Sequence, residues 1–146
     1  MITESRSFYY AATALSVGAL AHVVGHIMGP KAIEFMGAPP DVVLGAQDKT
    51  LLYYVIMVSI TGLLLGLAWL SFTKTRHKLS RICLWVFSVI FAIRGLLFLL
   101  FIPAIFARNF GPTPIKFWFH FFASIFILSI GLALMNGLWK TKLSNP

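Results

Sequence analysis

Five residues of this 146-residue chain have the type and spacing to do chemistry: His22, His26, Arg94, His120 and Ser124. His22 and His26 are four positions apart, as are His120 and Ser124, so in a helix each pair shares a face. Arg94 stands inside a long apolar run. Three imidazoles that converge can bind zinc or copper and leave one coordination position open. Alternatively, one histidine of the first pair and His120 can ligate a haem iron from opposite sides. A third arrangement has the histidines hydrogen-bonding backbone carbonyls and one another across packed helices. In a fourth they meet a polar ligand such as a quinone headgroup. The residues alone leave these four readings open.

The elements that would position these residues are helices in lipid. Hydrophobic residues make up 59% of the chain and charged ones 11%, against roughly 25% charged in a soluble domain. The mean hydropathy is +0.88. Four apolar stretches, at about 8–28, 51–72, 82–107 and 115–139, reach the roughly 20 residues a bilayer requires. The pattern predicts an all-α integral membrane protein, a single domain of four transmembrane helices in an antiparallel bundle with short connections. The exception is the loop at about 30–50, where Pro30–Met36 can form one or two turns before Gly37-Ala38-Pro39-Pro40 breaks them. Asp48 is expected to cap the second span, and Thr113-Pro114 to open the fourth. Pro103 is expected to kink the third. The first span continues past Ala21 to Met28, which fits a retained helix better than a cleaved signal peptide.

Cations set the orientation. Arg6, Lys74, Arg76, Lys78, Arg81, Lys140 and Lys142 fall on one side, and Lys31, Lys49, Arg108 and Lys116 on the other. The richer side is expected to be cytoplasmic, with both termini there. Reporter fusions at residue 77 or 146 should therefore read as internal, and an external signal at either would reverse the topology. In this orientation His22, His26 and His120 all lie within about two helical turns of the outer surface, at 1.5 Å of rise per residue.

Helix association in lipid relies on small residues and polar contacts. Gly18, Gly25 and Gly29 in the first span, and the GxxxG pair Gly62 and Gly66 in the second, are the expected packing positions, within the bundle or between copies. Arg94 has no carboxylate in any span and is expected to face an inward polar pocket. Phenylalanines in the third and fourth spans, among them Phe98, Phe101, Phe121 and Phe122, can form an aromatic wall or plain apolar bulk. Cys83 is the lone cysteine, which excludes an internal disulfide and a dithiol mechanism. The net charge of +8 is spread over span ends and forms no stripe. The expected partners are therefore the lipid bilayer and a membrane protein or second copy, not nucleic acid. The sequence holds no G-x-S-x-G, H-E-x-x-H, P-loop or CxxC motif.

The segment His22-Val-Val-Gly25-His26-Ile-Met-Gly29 reads H-x-x-G-H-x-x-G. With the four-span layout, it resembles a group of small bacterial four-helix membrane proteins whose first helix ends in a similar signature. The resemblance covers about ten residues. It implies a bacterial inner-membrane location and supplies no activity. Two functions are therefore expected: a ligand-binding or accessory subunit with a polar histidine cluster near the outer face, or a metal- or haem-dependent redox enzyme using His22, His26 and His120.

Overall fold

The computed structural model describes the backbone of residues 2–73, 77–109 and 114–144, with side chains over 6–73, 77–101 and 115–141. Within these residues the protein is helical: α1 (Ile2–Met28), α2 (Pro30–Phe35), α3 (Pro40–Gln47), α4 (Leu51–Thr73), α5 (Lys78–Asn109) and α6 (Pro114–Ser144). Four of them, α1, α4, α5 and α6, are long and apolar enough to cross a membrane. Leu20, Ile27, Leu52, Val58, Leu100 and Trp139 are each 60% exposed or more. So much exposed apolar surface suits contact with lipid chains rather than water. Pro114 opens α6 as expected, while Thr113, Phe110, Gly111, Lys74 and Arg76 lie outside the described residues. The α5 backbone stays helical past Pro103.

The loop at 30–50 holds more structure than its sequence announces. Gly37-Ala38-Pro39-Pro40 does interrupt the chain, but Pro40 then starts α3, with Pro39 as its N-cap and Asp41 in its first turn. Proline at N1 loses nothing, because that N–H has no partner inside a helix. Asp48 closes α3 instead of capping α4. The cap of α4 is Thr50, whose hydroxyl oxygen accepts the backbone N–H of Tyr53 at 3.3 Å. Thr50 is the better placed of the two, since an N-cap side chain reaches the N–H three residues on.

The contacts fall into two compact units, residues 1–14 with 67–146 and residues 15–66. In the first, α5 and α6 pack closely. A Cβ built at Gly95 would stand 2.7 Å from Leu128 Cβ, and one at Gly131 would stand 2.7 Å from the Ala92 backbone N. Residue numbers rise on one helix as they fall on the other, so the pair is antiparallel. The first turns of α1 run antiparallel to the end of α6 in the same unit. Ser7 accepts a hydrogen bond from Asn136 Nδ2 at 3.0 Å, and the hydroxyls of Tyr10 and Ser129 meet at 2.6 Å. Phe8 is buried against Gly137. Ser71, Ser88 and Ser124 are buried, and each hydroxyl donates to a carbonyl three or four residues earlier in its own helix. That spares an apolar interior any unpaired donor.

In the second unit, the end of α1 runs antiparallel to the start of α4, with α2 and α3 between them in sequence. Ile33, Val43, Tyr53 and Met57 form a small buried cluster, and Met36, Ala38, Val42 and Ala46 pack on it.

The glycines sort differently from expectation. Gly25 is buried, and a Cβ there would run into the Met36 side chain. Gly18 is an ordinary contact, its added Cβ 3.9 Å from Leu64 Cδ1. Cβ atoms at Gly29, Gly62 and Gly66 would meet nothing within 4 Å. Within the chain, then, Gly62 and Gly66 do not pack, and Gly29 serves the backbone alone.

Candidate functional site

The H-x-x-G-H-x-x-G segment resolves into four separate jobs in the unit of residues 15–66. His26 lies in the last turn of α1, where its Nδ1 is 2.6 Å from the Tyr53 hydroxyl. Gly29 turns the chain out of α1 at φ +89°, ψ −171°. Its N–H reaches the carbonyls of Gly25 and His26, each at 3.2 Å, and its own carbonyl accepts from Ala32 at 3.0 Å. This backbone region is open essentially to glycine alone. Gly25 leaves the space that Met36, just after α2, occupies. His22 sits one turn deeper in α1, half-buried and engaged with a neighbour.

Tyr53 is held in place by the cluster beneath it. Its ring is 4% exposed and packs with Ile33, Val43 and Met57, so the hydroxyl is presented to His26 with little rotational freedom. Aromatic rings surround the imidazole. The Tyr53 ring centre is 5.3 Å away and tilted, and the Tyr54 ring centre is 5.6 Å away and edge-on. Tyr54 is 40% exposed and His26 half-buried, so the pair can be approached from outside the unit. The hydrogen bond has two forms, since either ring nitrogen of a neutral histidine can carry the proton. If the hydroxyl donates to Nδ1, Nε2 carries a proton and can donate in turn. If Nδ1 donates to Tyr53, Nε2 is an acceptor. The pair can therefore offer either polarity to a ligand oxygen. The chain matches no known family model, no curated protein and no solved structure. The chemistry must be read from these side chains alone.

The other expected site residues belong to the other compact unit. His120, in α6, belongs to the unit of residues 1–14 and 67–146, while His22 and His26 belong to the unit of residues 15–66. It is half-buried, edge-on to Phe119 at 5.4 Å, and its carbonyl accepts the Ser124 hydroxyl at 2.7 Å. Ser124 is thus committed to its own helix. Among the described residues no three His, Cys, Asp or Glu side chains gather to hold a metal ion.

Arg94 lies in α5. It is exposed within the chain. The neighbouring Gly95 explains this: Gly95 is buried against Leu128, and adjacent helix residues point about 100° apart. Close packing of α5 on α6 therefore turns Arg94 outward. The phenylalanines divide similarly, with Phe98, Phe101, Phe119 and Phe122 exposed and Phe121 half-buried. Phe117 and Phe121 stack at 6.3 Å along α6, as rings four apart on a helix do.

Sequence reasoning missed Tyr53. It was visible as an aromatic residue at the start of the second span, and topology held the further clue. In an antiparallel hairpin the last turn of α1 and the first turn of α4 lie at one depth, which puts His26 beside Tyr53. A second feature lies in the other unit, where Arg6, Ser7, Tyr10, Leu132, Ala133 and Asn136 line an open groove of about 470 Å³.

Proposed function

We propose that this chain is a small multi-pass binding subunit of a bacterial inner membrane, with its termini in the cytoplasm. Its outer end, on this reading, holds the polar head of an amphipathic ligand at His26 and Tyr53. The supporting observation is the 2.6 Å contact of His26 Nδ1 with the Tyr53 hydroxyl, flanked by the exposed ring of Tyr54. A headgroup with ring oxygens, of the quinone or quinol class, suits the pair on three counts. Its carbonyl or hydroxyl can accept from or donate to His26 Nε2. Its ring can lie against tyrosine. Its tail can extend along the exposed apolar sides of α1 and α4. A site near a span end also suits a ligand with one wet and one apolar part.

Thermal unfolding of purified protein in detergent, with and without a short-tailed benzoquinone or its quinol, tests this reading. The wild type should gain stability with ligand. Tyr53→Phe should stay folded at a cost of about 1 kcal/mol and bind about ten-fold more weakly. His26→Gln should behave alike, and Val86→Ala, in the exposed apolar surface of α5, should bind as wild type. Equal ligand shifts in wild type and Tyr53→Phe, or no shift in the wild type with either ligand, would defeat the proposal.

A further inference from the structure

Arg94 lies in the middle of α5, about 24 Å from its Lys78 end and about 22 Å from its Asn109 end at 1.5 Å of rise per residue. It is exposed, and so are Ile90, Leu97, Phe98 and Phe101 on the same side of the helix. A guanidinium on an apolar surface at that depth is costly, and such residues face a polar partner. Three partners are conceivable, and the chain itself removes two.

The first is a carboxylate of this protein. The chain has 4 acidic residues, Glu4, Glu34, Asp41 and Asp48. Glu4 precedes the first candidate span, and the other three fall between Met28 and Leu51. No carboxylate is available at mid-membrane, and a second copy would bring another arginine and no acid. Pairing of copies through this face is therefore repulsive. The second is a lipid phosphate. The headgroups lie about 15 Å from the bilayer centre, farther than an arginine side chain extends when its backbone sits at that centre. From mid-helix, snorkelling falls short.

We propose that this face of α5 docks a transmembrane helix of a different protein, one that carries an aspartate or glutamate near the bilayer centre opposite Arg94. Charge decides the partner's chemistry, and the apolar residues around Arg94 supply the packing. Ile90 stands one turn before the arginine, Leu97 and Phe98 one turn after it, and Phe101 two turns after it. A partner helix seated there covers the ion pair with side chains on both sides, and the dry setting strengthens the attraction. The inference is independent of the quinone reading, because it concerns another unit and another chemistry.

The test uses the full chain, fused at its C-terminus to a fluorescent protein and reconstituted in phosphatidylcholine vesicles. Acceptor-labelled leucine-based transmembrane peptides carry glutamate at the centre, glutamate two turns from the centre, or leucine throughout. Energy transfer should show the central glutamate peptide binding about ten-fold more tightly than the leucine peptide. The off-centre peptide should lose most of that advantage. Arg94→Leu should abolish it while keeping wild-type helicity by circular dichroism. Equal binding of the central glutamate and leucine peptides to the wild type would overturn the proposal, as it would mean that lipid headgroups meet the arginine. A glutamate advantage that survives Arg94→Leu would overturn it equally. The comparison of peptides on wild-type protein stands even where the variant fails to fold.

Discussion

Replacing Gly131 with leucine should unfold the α5–α6 pair, whereas the same change at Gly62 should leave the protein folded. At Gly131 an added Cβ would stand 2.7 Å from the Ala92 backbone N and 2.8 Å from the Ser88 carbonyl oxygen. Both are main-chain atoms of the facing helix, so no rotamer change relieves the clash and the helices must separate. Overpacking a tight interior costs about 1–3 kcal/mol, so alanine at 131 should already be destabilising. Leucine adds more atoms to the same gap and should exceed that cost. Gly62 has nothing within 4 Å of its added Cβ. There the dominant effect is helix propensity, and Gly62→Ala should gain up to about 1 kcal/mol. Detergent unfolding followed by circular dichroism separates the two sites. Wild-type stability in Gly131→Leu would mean that α5 and α6 do not approach as described.

Gly29→Ala is expected to have the next largest effect, for the opposite reason. Space is ample there, since an added Cβ touches nothing within 4 Å. The backbone is the obstacle: φ +89° with ψ −171° is glycine territory, and an L-residue held there is strained by about 1–3 kcal/mol. The chain can escape by changing these angles, but α2 then leaves its present course. Ile33 and Met36 would withdraw from the cluster that holds Tyr53. Hydrogen exchange should report this selectively, with faster exchange over residues 30–47 and unchanged protection in α5 and α6. An unchanged exchange pattern would show that the turn tolerates a side chain.

The spans were readable because lipid tolerates so few residue types, and no acidic residue interrupts Leu51–Thr73 or Ile115–Thr141. The segment at 30–50 was half readable. Its break at Gly37–Pro40 was plain, but α3 was not, although Pro39-Pro40-Asp41 is a sound helix start. Asp48 illustrates a general ambiguity, as one polar residue between two helices can close the first or open the second. The glycines illustrate another. A glycine permits close approach without saying what approaches: Gly95 and Gly131 meet the facing helix, whereas Gly62 and Gly66 meet nothing within the chain. Gly95 packs on α6, so Arg94, about 100° round the helix from it, points elsewhere. At the candidate site, spacing identified His26 but not its partner, which came from another helix 27 positions away.

The contact of Phe8 with Gly137 bears on how the chain is made. A Cβ on Gly137 would lie 2.9 Å from the Phe8 ring, so the first turns of α1 have a seat that only the last turns of α6 provide. During synthesis that seat is absent until α6 has been made. Residues 15–66, by contrast, form a unit of contiguous chain, and contacts between near neighbours in sequence form fast. Assembly is therefore expected to begin with that contiguous unit. The Phe8 end of α1 gains its seat only when α6 arrives, long after its own neighbours in sequence have been made.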